Sequence, residues 1–215
     1  MTLPRVYVIV DCEVGRAHGW TAPALARACL EGGARLLQLR AKTAGAGELL
    51  DLSEQVASDA ARHDARLVVN DRVDVARLVK GAGVHVGQDD LPPAAARQIL
   101  GPAAIVGVST HTADQVEAAL RQPISYVAVG PVFGSPTKDT GYEAVGFDLV
   151  RYAASRAAKA GGPAERMPVV AIGGITLERA PSVIEAGATS VAVIADVLAT
   201  GDPTARVRAF VERLA

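Results

Sequence analysis

The sequence predicts an α/β fold of the (βα)8 TIM-barrel type, with one domain spanning residues 1–215. Three observations carry that expectation. Short β-branched runs alternate with alanine-rich segments along the whole chain, glycine-containing helix-to-strand junctions recur at a regular interval, and polar residues collect where the apolar runs end.

Eight runs have strand character: RVYVIV, ARLLQL, ARLVVN, GVHVG, AIVGV, YVAVG, PVVAIGG and SVAVIA. Between them lie segments such as ELLDLSEQVASDAARH and TADQVEAALR, rich in good helix formers. The second opens on Thr112 with Gln115 three positions later, which fits a capping box. The stretch from Ala153 to Met167, with GGP near its centre, reads as a helix followed by an exposed loop.

Three junctions, LEGGARLLQLR, LVKGAGVHVGQ and IEAGATSVAVIA, pass from a helix end through glycine into an apolar run, as expected for left-handed C-caps at Gly33, Gly83 and Gly187. These glycines are 50 and 104 residues apart, close to two and four units of about 25 residues, and eight such units fill the chain. An open doubly wound sheet shares the alternation. Against it, the first strand is followed by DCEVGRAHG rather than a GxGxxG turn, and the glycine pair AIGGIT follows the seventh strand, where barrels commonly bind phosphate.

The formal net charge of -1 and the lack of a Lys/Arg cluster argue against a nucleic-acid partner or an acidic membrane surface. Cys12 and Cys29 do not form a CxxC pair and are expected to be reduced and structural. No apolar run reaches the roughly 18 residues of a membrane span, and MTLPRVYVIVD enters a strand pattern directly. The expected location is cytoplasmic, and a homo-oligomer is left open.

In a barrel, polar residues at the C-terminal strand ends share one mouth. LLQLRAK places Gln38, Arg40 and Lys42 on one face and Leu37, Leu39 and Ala41 on the other. A guanidinium fork beside an ammonium suits a polyphosphate, although both could be solvated rim charges. Asp71 and Asp90, with Asn70 and Gln88 beside them, form an oxygen set suited to a hard cation such as Mg²⁺. Alternatively NDR is a plain turn with Asp71 as a helix N-cap.

Ser109 and His111 follow strand five, and Ser135, Thr137 and Lys138 lie in GPVFGSPTKDTGYEAVG, which reads either as an idle loop or as a lid. Gly173 and Gly174 could offer backbone N–H groups to a monophosphate. His85 falls within a strand as a core residue, His18 and His63 are expected at the surface, and His111 could orient an anion or simply bond locally.

Together LQLRAK, NDR, GVHVGQDDL, GVSTHT, GPVFGSPTK and AIGGI, in this order across nearly the whole chain, resemble the thiamine phosphate synthase family. The resemblance implies a (βα)8 transferase that joins hydroxymethylpyrimidine diphosphate to hydroxyethylthiazole phosphate and releases diphosphate. It implies a pyrimidine diphosphate site at Gln38, Leu39, Arg40, Ala41, Lys42, Asn70, Ser109 and Lys138, with Arg40, Lys42, Ser109 and Lys138 catalytic. Asp71 and Asp90 would hold Mg²⁺, and Ser135, Pro136, Thr137, Gly174, Ile194 and Ala195 would hold the thiazole phosphate. Two positions depart from the family pattern: Gly134-Ser135-Pro136-Thr137-Lys138 replaces Pro-Thr-x-Thr-Lys, and Ala195 replaces a serine. A thiazole tautomerase and a non-catalytic sensor of thiazole or thiamine phosphate are the competing readings.

Overall fold

The computed structural model describes residues 2–134, 143–160 and 166–215. Eight parallel strands, β1 (Val6–Asp11), β2 (Leu36–Arg40), β3 (Arg66–Asn70), β4 (Gly83–Val86), β5 (Val106–Thr110), β6 (Tyr126–Val129), β7 (Val169–Ile172) and β8 (Ser190–Val193), pair in chain order. The barrel closes where β8 returns to β1, with Val8 opposite Val193. Closure removes the open-sheet alternative, because every strand has a partner on both sides.

The period-two alternation of the strands sorts their side chains into two apolar sets. Val6, Val8, Val10, Leu37, Leu39, Val69, Val84, Val127 and Val193 face the helical ring and form the larger core. Tyr7, Ile9, Leu36, Val68, Tyr126, Ala128, Val170 and Ala192 fill the barrel interior. On β2, this alternation turns Leu36, Gln38 and Arg40 inward and Leu37 and Leu39 outward. Gln38 and Arg40 thereby bring polar groups into the barrel toward the mouth.

The helices follow the expected places. α3 (Ala46–Arg62) and α6 (Ala113–Leu120) coincide with the two segments read as helical. Thr112 caps α6 by accepting from the Gln115 N–H at 3.2 Å, while Gln115 reaches back to the N–H of His111 at 2.7 Å, one residue before the cap itself. α7 (Gly146–Ala160) begins earlier than the Ala153 boundary, and residues 161–165 of the expected loop lie outside the described residues.

One junction differs from expectation. Gly33 and Gly187 have φ of +104° and +108°, but at the intervening junction the left-handed residue is Gly81, with φ +76°. Gly83 is instead the first residue of β4, where a Cβ would lie 2.6 Å from the Cβ of Ile105. Among the described residues, no helix is long and apolar enough to cross a membrane.

Candidate active site

At the mouth, β1 and β2 meet with Asp11 opposite Arg40. The Arg40 Nη1 pairs with the Asp11 carboxylate, and Glu13 Oε2 lies 4.0 Å away. Asp11 is 3% exposed and also caps α1 (Cys12–Ala17), accepting from the N–H groups of Glu13 and Val14 at 3.1 and 3.0 Å. One carboxylate thus fixes both the helix start and the guanidinium. Among the described residues, the buried Arg40 Nε has no hydrogen-bond partner, a donor that an anionic ligand could satisfy.

Lys42 Nζ contacts Asp71 Oδ2, so the capping alternative for Asp71 fails. The N-cap of α4 (Val73–Leu78) is Arg72, without a side-chain cap bond. Asp71 itself has φ +62°, held by its N–H donating to the His85 carbonyl at 2.8 Å and by the Arg72 N–H donating to the Asn70 carbonyl at 2.7 Å. An aspartate kept in the left-handed region by its turn directs its carboxylate to the mouth at some conformational cost.

Asp90 faces the same place, accepting from the Gly87 N–H at 2.7 Å. Burial, and after it the neighbouring Asp71 carboxylate, holds the Asp90 pKa above the usual carboxylate range despite that hydrogen bond. Two adjacent carboxylates, only partly offset by Lys42, form a donor set that fits a divalent cation. Gln88 does not join them, since its amide donates to the Ser109 carbonyl. Among the described residues, no group of three or more His, Cys, Asp or Glu side chains could hold a metal. Any ion there would draw its remaining ligands from water or phosphate, as Mg²⁺ commonly does.

Below the charges runs a hydrogen-bonded chain that sequence reasoning missed. Gln38 Nε2 donates to the Tyr7 hydroxyl at 2.8 Å, which is 3.0 Å from the Tyr126 hydroxyl. Tyr126 is 2.9 Å from His85 Nδ1, and His85 Nε2 is 2.8 Å from Ser109 Oγ. Since Gln38 donates into the chain, a consistent polarity has Tyr7 donating to Tyr126 and Tyr126 to Nδ1. His85 then donates from Nε2 to Ser109, whose own proton is left to point into the cavity. Burial raises the pKa of both tyrosines far above the usual phenol value, so both hydroxyls stay protonated.

Gln38, Arg40, Asn70 and Ser109 line a small cavity of 20 Å³ together with Tyr7 and His85. Beside it lies a larger cavity of 340 Å³ lined by Gly173, Gly174, Ile194, Ala195 and Arg179. Ser109, Ile172, Ala192 and Ile194 belong to both walls. Gly173 and Gly174 have φ of +106° and +60°, and added Cβ atoms would lie 2.5 Å from Pro131 Cα and 2.8 Å from the Gly134 carbonyl. The carbonyls of Ile172, Gly173 and Gly174 accept from the Val132 N–H, the Phe133 N–H and Arg179 Nη1. Among the described residues, none accepts from the N–H groups of Gly173 and Gly174, the arrangement that suits a phosphate oxygen.

Most expected site residues therefore converge. Leu39 does not, because its side chain is fully buried against the helices, and Ala41 packs against that same outer core. Ser135, Pro136, Thr137 and Lys138 lie outside the described residues. His85 is a buried, hydrogen-bonded core residue as expected, yet its partners connect it to the site. His111 Nδ1 donates to the Gly130 carbonyl, which fits the local-bonding alternative. His18 is exposed as expected, whereas His63 is half-buried, with Nδ1 3.0 Å from the Asp59 carbonyl. Tyr7 and Tyr126 were legible only as strand residues, and Asp11 only as the first residue after strand one. Their signal was the inward register that they share with Gln38 and Arg40.

A closed parallel barrel defines a TIM-barrel protein, and its mouth, with cations, facing carboxylates and a glycine turn, has groups suited to an anionic ligand. The thiamine monophosphate synthase family model matches residues 6–197, and the chain belongs to that family. It is 40% identical over 216 residues to a thiamine-phosphate synthase of Koribacter versatilis, covering 100% of this chain and 97% of that one. It is 43% identical to the thiamine biosynthesis bifunctional protein ThiM/ThiE of Symbiobacterium thermophilum, covering 97% of this chain but only 40% of that protein's length. Among solved structures, thiamine phosphate pyrophosphorylase from Pyrococcus furiosus superposes with a TM-score of 0.83 at 28% identity, covering 98% of this chain and 95% of that one.

Proposed function

We propose that the chain is a thiamine-phosphate synthase, a transferase that joins hydroxymethylpyrimidine diphosphate to hydroxyethylthiazole phosphate. The observation that carries this reading is the pair of cavities meeting at Ser109, one beside Arg40 and Asn70, the other beside Gly173 and Gly174. Two anionic substrates would enter from the two sides and meet at the shared wall.

In the reaction, the bond between the pyrimidine methylene and the diphosphate oxygen breaks, with the electron pair leaving on oxygen. The thiazole nitrogen then donates its lone pair to the methylene carbon, leaving diphosphate and thiamine phosphate. Negative charge grows on the departing group, so Arg40 and Lys42 stabilise the transition state more than the ground state. Asp11 holds the Arg40 guanidinium in place during this change. Ser109 offers its proton to the pyrimidine, and Gln38 and Asn70 offer amide contacts to it. Asp71 and Asp90 would hold Mg²⁺, which when bound supplies further positive charge to the diphosphate.

Purified protein incubated with both substrates and Mg²⁺ is expected to release diphosphate and form thiamine phosphate in equal amounts. Isomerisation of the thiazole without diphosphate release would favour a tautomerase instead. Binding of either phosphate without turnover would favour a sensor.

A further inference from the structure

The larger cavity contains a cation that the reading above does not use. Five residues lining it carry polar side-chain groups: Ser109, His111, Thr176, Arg179 and Asp196. Four of these are engaged. Ser109 ends the tyrosine–histidine chain, and His111 Nδ1 donates to the Gly130 carbonyl. Thr176 Oγ1 accepts from the Arg179 N–H at 3.4 Å. Asp196 Oδ2 accepts from the Leu177 N–H at 3.2 Å and pairs with Arg206, whose Nε and Nη2 lie 2.9 and 2.8 Å away. Ala192, Ile194, Ala195 and Ala199 complete much of the wall without a polar side-chain atom.

Arg179 is different. Its Nη1 donates to the Gly174 carbonyl at 2.9 Å, and its guanidinium carbon lies 4.7 Å from the centroid of the Phe133 ring. These contacts fix the plane of the guanidinium beside the glycine turn and, among the described residues, use only one of its five N–H groups. Among the described residues, no carboxylate pairs with it. Among the described residues, the cavity wall thus holds a pre-positioned cation with no carboxylate partner, next to two backbone N–H groups with no acceptor. A phosphate monoester carries about -1.5 to -2 charges near neutral pH, more than two neutral N–H donors balance well.

We infer that Arg179 binds the phosphate of the thiazole substrate together with Gly173 and Gly174, and sets the preference for the phosphorylated thiazole over its free alcohol. This rests on the synthase reading and adds to it a specificity residue. The guanidinium would contribute charge-assisted hydrogen bonds from its remaining N–H groups. Lysine could supply the charge but neither the fork nor the stacking on Phe133.

Arg179→Gln tests this most cleanly, since an amide can still donate to the Gly174 carbonyl while the charge is removed. Steady-state diphosphate release would be measured with pyrimidine diphosphate and either hydroxyethylthiazole phosphate or hydroxyethylthiazole. Calorimetric titration of hydroxyethylthiazole phosphate into each protein would report binding directly. The Gln variant is expected to weaken thiazole phosphate binding and raise its KM by about 10- to 100-fold. The KM for the pyrimidine diphosphate should stay within about twofold, and the preference for the phosphorylated thiazole should shrink by the same 10- to 100-fold factor. Arg179→Lys should recover part of the loss. Unchanged thiazole phosphate affinity in the Gln variant, or equal loss toward both substrates, would overturn the assignment. Wild-type protein that binds thiazole phosphate but never releases diphosphate would refute the synthase reading, and titration of the Gln variant would still decide the role of Arg179 in phosphate binding.

Discussion

Replacing Tyr126 by phenylalanine removes one oxygen from the middle of the buried chain, leaving Tyr7 and His85 without the partner they share. An unsatisfied buried polar group costs about 1–3 kcal/mol, so urea unfolding of the Phe variant is expected to show a loss of that size. The turnover rate should fall as well, because the Tyr126 hydroxyl no longer orients the His85 ring toward Ser109. Gly107 makes room for the same ring on the neighbouring strand β5: a Cβ there would lie 2.1 Å from Tyr126 Cζ, and overpacking of this kind typically costs about 1–3 kcal/mol or more. Asp11→Asn separates two duties of one residue. Asparagine caps helices as well as aspartate, so circular dichroism should be unchanged. The KM for the pyrimidine diphosphate should rise because Arg40 loses its charged partner.

At the scale of elements, strand ends and helix starts decide what each segment contributes. Cys12 opens α1 and Cys29 lies in α2 (Ala22–Glu31), both buried and free. Burial pushes their thiol pKa values up to about 11 and about 12. At pH 8 this leaves on the order of one thiolate in a thousand or fewer. Iodoacetamide at pH 8 should therefore label neither cysteine in the native protein and both after unfolding in guanidinium. Rapid native labelling would contradict the packing of these helices.

The strands were legible because each is a short β-branched run bounded by turn residues, and that signal is local. The assignment of Gly83 as a C-cap missed by two residues, since KGAG offers two glycines and only the chain geometry selects Gly81 for positive φ. The cation pair on β2 was legible from its period-two spacing. Its partner Asp11 was not, because the register of β1 against β2 appears only when the sheet is assembled. The tyrosine–histidine chain was hidden for the same reason, as Tyr7, His85 and Tyr126 each look like ordinary strand residues. Asp71 resembled an N-cap in sequence, and only its left-handed turn turns it toward Lys42.

Across the whole molecule, barrel closure brings side chains from separate strands into one reaction space. No strand alone carries the chemistry. Asp71 and Asp90 come from the ends of β3 and β4, Arg40 and Lys42 from β2, and the glycine turn from β7. If Asp71 and Asp90 hold Mg²⁺ as proposed, removing one of them should weaken its binding, so Asp90→Ala is expected to raise the Mg²⁺ concentration needed for half-maximal diphosphate release. Wild-type Mg²⁺ dependence in that variant would remove Asp90 from the site. The central claim is tested most directly by a crystal structure of the protein with thiamine phosphate, diphosphate and Mg²⁺. Diphosphate oxygens are expected within hydrogen-bond reach of Arg40 and Lys42, a metal ion touching Asp71 and Asp90, and the thiazole phosphate on the N–H groups of Gly173 and Gly174. Diphosphate bound away from Arg40, with Asp71 and Asp90 turned to solvent, would contradict it.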